Sequence, residues 1–123
     1  MTFPDTSQTV LIVDDEWLLR LHARDFIECA GFDVVEAANG DEALDVLAAH
    51  NDIAVLFTDI NMPGSMDGLQ LARRVHERYP DVKLLLTSGK IALGEDEIPA
   101  DGVFISKPYA PESVVGKIES LLS

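Results

Sequence analysis

The chain has few cysteines, few basic residues and no long apolar run. Its 123 residues include a single cysteine, Cys29, so it cannot form an intrachain disulfide or a zinc site built from several thiolates. This cysteine usage is typical of a cytoplasmic protein, and we expect the thiol to be buried as a small apolar side chain. No stretch approaches the roughly 18 apolar residues of a membrane-spanning helix. Residues 1–9 lack the basic and apolar regions of a signal peptide. We therefore predict a cytoplasmic protein without a membrane anchor.

Basic residues are scarce beside acidic ones. Nine Lys and Arg stand against 22 Asp and Glu, which gives a formal net charge of −13. Such a field repels nucleic acid and anionic membranes, so we expect neither as a direct partner, whereas it attracts metal cations. The apolar fraction of 47% is sufficient to fill the core of one domain of this length.

Short apolar runs alternate with stretches of helical periodicity along the whole chain. The apolar runs predict strands near residues 9–13, 34–35, 53–58, 82–87 and 103–105. The periodic stretches predict helices near residues 16–30, 40–48, 67–79 and 111–122. Strands that are apolar throughout are buried on both faces, and alternation with helices makes them parallel. We therefore predict one α/β domain over residues 1–123, with its core at about 9–122 and a five-stranded, doubly wound parallel sheet.

The segment between the fourth and fifth strands fits this alternation poorly. Residues 90–101 should hold a helix, but they contain Gly94, Pro99 and several acids with little apolar periodicity. Only 19 positions separate Ser88 from Lys107, which is short for two strand ends and a full helix. We predict a short, irregular or mobile helix in this segment.

Polar residues follow the predicted strands at the edge where such sheets bind ligands. Asp14 and Asp15 end the first strand and Asp59 ends the third. Three neighbouring carboxylates repel one another unless a cation lies between them, and carboxylate oxygens with room for water favour Mg²⁺ over zinc. Asp14 and Asp15 by themselves are also compatible with an N-cap of the following helix. Their alignment with Asp59 favours a magnesium site.

Asp59 ends the central strand, where a carboxylate beside Mg²⁺ is a competent nucleophile toward a phosphoryl group. Phosphoryl transfer needs mainly positioning and charge neutralisation. Lys107, after the fifth strand, and a hydroxyl at the end of the fourth can supply both. Adjacent strand residues point to opposite faces, so only one of Thr87 and Ser88 can reach the site. Lys107 alone would be a surface lysine before a turn, but its place opposite the acids favours the site.

Four segments together resemble the receiver domains of two-component response regulators. They are LIVDDE at 11–16, TDINMPGSMDGLQLA at 58–72, LLTSG at 85–89 and ISKPY at 105–109. The resemblance covers residues 10–122. It implies a flavodoxin-like (CheY-like) fold with strand order 2-1-3-4-5, and a signalling switch that catalyses only its own phosphorylation and dephosphorylation.

The resemblance also implies a role for each residue of the site. Asp59 would accept the phosphoryl group and Lys107 would bind it. Asp15 would bind Mg²⁺ directly and Asp14 largely through water, with Asp59 and the backbone carbonyl of Asn61 completing the protein ligands. The family further implies a cis peptide bond between Lys107 and its following proline.

The switch residues of the family fall on Ser88 and Phe104. Ser88 is followed by the small residue Gly89, as the switch hydroxyl of the family usually is, and this selects it over Thr87. Phe104 lies three residues before the lysine, but it lacks the hydroxyl of tyrosine and fits an ordinary core position equally well. The loop after Asp59 is longer than usual by a residue or two, which leaves its geometry open.

The function implied is that of a phosphoacceptor. A histidine kinase or phosphotransfer protein would donate the phosphoryl group, and the phosphorylated chain would control a downstream protein target. We expect a stand-alone receiver without an output domain. A receiver excised from a hybrid kinase or longer regulator, and an interaction domain that works without phosphorylation, stay open.

Two other classes of protein use similar architectures. A nucleotide- or flavin-binding module needs a Gly- or Ser/Thr-rich phosphate loop after the first strand, where the chain has Asp14, Asp15 and Glu16. A phosphatase with an aspartate nucleophile usually has a second acid two residues later, where the chain has Asn61. Both classes fit the sequence less well than the receiver does.

Overall fold

A computed structural model describes residues 8–90, 97–99 and 102–123. The strands are β1 (Thr9–Val13), β2 (Asp33–Ala37), β3 (Ile53–Asp59), β4 (Lys83–Ser88) and β5 (Val103–Ser106). The helices of the described ranges are α1 (Trp17–Cys29), α2 (Gly40–Ala49), α3 (Gly68–Arg78) and α4 (Pro111–Leu122). The short or irregular helix predicted for residues 90–101 falls largely outside the described residues and stays a prediction.

The strands form one parallel sheet in the order β2-β1-β3-β4-β5. The predicted five-stranded, doubly wound, flavodoxin-like fold is confirmed. From β1 the chain first builds outward to β2 and then crosses to β3 on the other side. The winding direction therefore reverses between β1 and β3, and ligands of such sheets bind at the carboxyl ends of the strands at this point.

Two apolar clusters cover the two faces of the sheet. One packs α2 and α3 against side chains such as Leu11 and Val13, and the other packs α1 and α4 against Val10 and Ile12. All five residues of β1 are buried because successive side chains alternate between these two covered faces. This two-sided burial produces the continuous apolar runs in the sequence.

The ends of α1 lie close to their predicted positions. Gly31 follows the C-cap residue Ala30 with φ of +102°, a left-handed conformation that favours glycine.

Cys29 was expected to be buried, but it is exposed. It lies about 200° around the helix from the buried Ile27, because each residue turns an α-helix by about 100°. None of the helices in the described ranges has the length and apolar character needed to cross a membrane.

Candidate functional site

The acidic residues Asp14, Asp15 and Asp59 meet at the carboxyl edge of the sheet. One carboxylate oxygen from each lies within 4.8 Å of the others. They converge because β1 and β3 pair in parallel, with Val13 opposite Thr58, so the residues that follow lie side by side. Asp14 and Asp59 are buried, whereas Asp15 is exposed. The cluster therefore has one open side toward solvent.

Asp14 does not cap α1. The N-cap residue of that helix is Glu16, which makes no side-chain cap bond. Asp14 Oδ1 instead accepts the backbone N–H of Glu16 at 2.9 Å. The carboxylate is thus held at the end of β1 with its second oxygen directed to the cluster.

Lys107 joins the two buried acids. Its ammonium nitrogen lies 3.0 Å from Asp59 Oδ2 and 3.3 Å from Asp14 Oδ2. Its backbone N–H donates to the carbonyl of Ser88 at 3.0 Å, and its bond to Pro108 is cis, as the resemblance implied. Only 18% of the Lys107 side chain is exposed. Lys107 is therefore not a surface lysine before a turn.

Burial and ion pairing have opposite effects on the ionisation of Asp14 and Lys107. Burial raises the pKa of the Asp14 carboxyl above its ordinary value, although the Glu16 N–H and the Lys107 ammonium group oppose this. Burial disfavours the ammonium ion of Lys107, but its bonds to Asp59 and Asp14 outweigh that effect and raise its pKa. The Lys107 ammonium group contacts Asp14 and Asp59, and with Asp15 the cluster has more negative than positive charge, so it can accept a further cation. Hard oxygen donors with an open side fit Mg²⁺.

Asn61 and Ser88 meet beside Asp59. The backbone N–H of Asn61 donates to Asp59 Oδ1 at 3.1 Å, and its side-chain Oδ1 accepts the Ser88 hydroxyl at 2.5 Å. Ser88 Oγ also accepts the N–H of Lys90 at 3.1 Å. The predicted ligand residue and the predicted switch hydroxyl are therefore in direct contact.

Thr87 and Ser88 occupy different faces of β4. The expectation that only one of them reaches the site is wrong, because Thr87 lines a cavity together with Asp59 while Ser88 contacts Asn61. Thr87 pairs with Asp59 across β3 and β4, and partners in adjacent parallel strands point to the same face. Ser88 follows Leu86 on the opposite face, where Leu86 pairs with Phe104. Phe104 is half-buried against the cluster of α2 and α3, a position compatible with either a core or a switch role.

The longer loop after Asp59 has a defined geometry. Ser65 Oγ donates to Asp41 Oδ2 at 3.0 Å, and the buried Met66 packs against Gly40 at the start of α2. A Cβ at Gly68 would overlap the backbone carbonyl of Asp59, so only glycine fits there. The loop is therefore held by packing on α2, and Asp59 lies at the end of β3.

Sequence analysis missed Arg20 as a residue of the site. Its guanidinium donates to the backbone carbonyl of Asp14 at 2.7 Å and to Glu36 at 2.8 Å. A signal was present, because Arg20 is a charged residue on the helical stripe that carries Ala23 and Ile27. Arg20 links the end of β1 to β2 from one side of the acidic cluster.

Tyr109 closes the same side of the site. Its ring contacts Phe57 and Phe26, with centroid distances of 5.7 and 6.2 Å. Burial raises the pKa of its phenol. The motif around Lys107 includes Tyr109, but no sequence pattern indicates this packing.

Residues 10–119 match the family described as the response regulator receiver domain. The chain is 34% identical over 122 residues to the transcriptional regulatory protein SrrA of Staphylococcus aureus, covering 94% of the chain and 48% of that protein. It thus spans about half the length of the curated relatives it matches.

Solved structures give the same picture of the fold. A response regulator receiver protein from Sinorhizobium medicae superposes with a TM-score of 0.87 at 29% identity, covering 95% of each chain. The response regulator protein TrrA from Thermotoga maritima, in complex with Mg²⁺-BeF, superposes with a TM-score of 0.80 at 24% identity. That match covers 93% of this chain and 98% of TrrA, and it shows the fold alone.

Proposed function

The chain belongs to the response regulator receiver domain family of two-component systems, and from that membership we propose that Asp59 is its phosphoacceptor. The observation that carries the proposal is the pair of bonds from the Lys107 ammonium group to Asp59 and Asp14, at 3.0 and 3.3 Å. A buried nucleophile, a cation and further carboxylates at one sheet edge are what phosphoryl transfer requires.

The Asp59 carboxylate is oriented on both of its oxygens. Oδ1 accepts the Asn61 N–H and Oδ2 accepts Lys107. A carboxylate oxygen attacks the phosphorus of a phosphohistidine on the donor protein. The P–N bond breaks, its electron pair remains on the imidazole nitrogen, and an acyl phosphate forms on Asp59. Lys107 is close enough to follow the transferred oxygens and neutralise their charge.

A divalent cation belongs in this proposal because the residues present fit it. Mg²⁺ would be held by Asp14, Asp15, Asp59 and the backbone carbonyl of Asn61. When bound, it would supply charge neutralisation at the phosphoryl oxygens. Asp15 is the exposed acid of the cluster, so it can bind the ion from the side that is open to solvent.

Ser88 and Phe104 are the proposed switch. The Ser88 hydroxyl, now bonded to Asn61, would exchange that partner for a phosphoryl oxygen. Phe104 pairs with Leu86, two residues before Ser88 on the same face of β4, and would follow the movement of the Ser88 side chain. The result would be a change of surface that a downstream protein reads.

The proposed partners are a histidine kinase or phosphotransfer protein as donor and a protein as target, in the cytoplasm. We expect this chain to make no direct contact with nucleic acid, because its net charge is −13. The expectation does not extend to SrrA, a transcriptional regulatory protein that is about twice as long as this chain. A stand-alone receiver and a receiver from a longer regulator would share this chemistry at Asp59, and the chain would catalyse no other reaction.

Incubation with Mg²⁺ and acetyl phosphate, followed by intact-protein mass spectrometry, tests the proposal. We expect one phosphoryl adduct on the wild type and none on Asp59→Asn. Asp45→Asn is the matched control, because Asp45 is an exposed acid on α2, and it should be phosphorylated like the wild type. An unmodified wild type at saturating donor, or an adduct that persists in Asp59→Asn, would contradict the proposal. If the chain controls its downstream protein equally well without a phosphoryl group, the interaction domain that works without phosphorylation is favoured instead.

A further inference from the structure

The hydroxyl of Thr87 is buried without a hydrogen-bond partner among the described residues. The side chain is 2% exposed, and Oγ1 is a buried polar atom that no other described atom satisfies. Leaving a buried hydroxyl unsatisfied is costly. In folded proteins such groups are commonly satisfied by an internal water.

Thr87 borders a small cavity behind the acidic cluster. The polar lining residues are Asp14, Arg20, Asp59, Thr87 and Tyr109. The space open to the centre of a water-sized sphere is about 10 Å³, close to the minimum of about 10–15 Å³ that one water needs. The rest of the lining is apolar and comes from β1, α1 and β3. The cavity therefore has several polar groups in its wall and is of a size for a single water molecule.

The carboxylates can still accept hydrogen bonds. Each oxygen of Asp14 and Asp59 accepts one described bond, from Glu16, Asn61 or Lys107, and each has two lone pairs. One water could accept the Thr87 hydroxyl proton and donate to both acids. Those three bonds are the usual number for a buried water.

We propose that Thr87 Oγ1 binds one internal water that bridges to Asp14 and Asp59 and fixes the Asp59 carboxylate from the α1 side of the sheet. Ser88 contacts Asn61 on the other side of that carboxylate. The two neighbouring hydroxyls thus have separate tasks, and Thr87 is a positioning residue. The positioning role rests on the proposed function, whereas the water site does not.

Thr87→Val is the decisive variant, because valine has the shape of threonine without the hydroxyl. Nuclear magnetic resonance in EDTA, which removes metal-bound water, should give a rotating-frame Overhauser peak between water and the methyl group of Ala23, which lines the cavity and has no exchangeable side-chain proton. The peak should be lost in Thr87→Val and retained in Thr87→Ser. A wild type without the peak, or a Thr87→Val variant that keeps it, would overturn the water site.

Thermal unfolding gives an independent reading of the same variant. A bound water predicts that Thr87→Val lowers Tm by about 3–5 °C. An unsatisfied hydroxyl predicts an unchanged or higher Tm, because an apolar group of the same shape replaces it, and that result would contradict the proposal. Thr58→Val calibrates the loss, since the Thr58 hydroxyl has a described partner, the Asp59 carbonyl at 3.0 Å.

The positioning role is tested by the rate of phosphorylation from acetyl phosphate. We expect a several-fold slower rate in Thr87→Val and a rate near the wild-type value in Thr87→Ser. Loss of the water with an unchanged rate would overturn the positioning role. If the wild type itself is not phosphorylated, the proposed function fails while the resonance test of the water still stands, so the two failures are distinguishable.

Discussion

Strand β3 passes from one kind of environment to another within seven residues. Its interior part, with Val55, Leu56 and Phe57, is apolar and almost completely buried, whereas its last residue is the buried carboxylate Asp59. Burying a large apolar side chain stabilises the fold by about 1.5–3 kcal/mol. Burying a charge costs several kcal/mol before its partners compensate.

The sheet interior and its carboxyl edge therefore have different tasks. The interior keeps the chain folded. The edge holds two buried carboxylates and one lysine, an arrangement that is useful for chemistry. Its net contribution to stability is small, although removing only the lysine is costly because it leaves buried carboxylates without their cation. Substitutions in the two regions should separate these two properties.

The largest expected contrast is between Ile27→Ala and Asp59→Asn. Ile27 is fully buried on the inner face of α1, so its truncation should lower the free energy of unfolding by about 2–5 kcal/mol while the folded protein is still phosphorylated. Asp59→Asn should abolish phosphorylation without lowering stability in EDTA, because Lys107 keeps Asp14 as its partner. Urea unfolding and intact mass measure both properties. A strongly destabilised Asp59→Asn protein would remove the contrast.

Lys107→Gln sharpens the comparison at the edge. Removal of the ammonium group leaves Asp14 and Asp59 without their shared cation, and we expect a loss of about 1.5–3 kcal/mol in EDTA. Saturating Mg²⁺ should restore part of this loss, since the ion supplies positive charge between the same carboxylates. Urea unfolding with and without Mg²⁺ measures the effect. Exposed Lys83 provides the control, because Lys83→Gln should show neither change.

Glu36→Gln should have the smallest effect. Burial opposes ionisation of Glu36, but hydrogen bonds from Arg24 and Arg20 outweigh it and lower the pKa of its carboxyl. The stability it contributes is therefore present above the ordinary pKa of a glutamate and is lost as pH falls through the lower folded-state pKa. At neutral pH we expect a loss of about 1 kcal/mol, reduced by solvent screening at the more exposed Arg24. Unfolding measured across pH should show the two proteins converge in acid, and a constant difference would contradict this sign.

Much of the fold was predictable because its strands are buried on both faces. A strand that is buried on both faces appears in the sequence as a continuous apolar run. For this reason β1 was predicted at its observed bounds of Thr9–Val13. The convergence of Asp14, Asp15, Asp59 and Lys107 followed from parallel strands ending at one edge. Each of these residues ends a strand or lies within two residues of its end, so topology alone brings them together.

The contacts that sequence analysis missed depend on strand register and side-chain reach. Ser88 meets Asn61 across 27 positions of sequence, and Thr87 shares a face with Asp59 only because β3 and β4 pair in one register. Arg20 reaches the Asp14 carbonyl over the end of β1. Local periodicity contains none of this information.

The most direct test of the account is to locate the phosphoryl group. After phosphorylation in Mg²⁺, reduction with borohydride converts an acyl phosphate on aspartate to homoserine, and peptide mass spectrometry then identifies the modified position. We predict homoserine at position 59 only, and none when Mg²⁺ is replaced by EDTA. Homoserine at Asp14 or Asp15 instead, with Asp59 unmodified, would contradict the account.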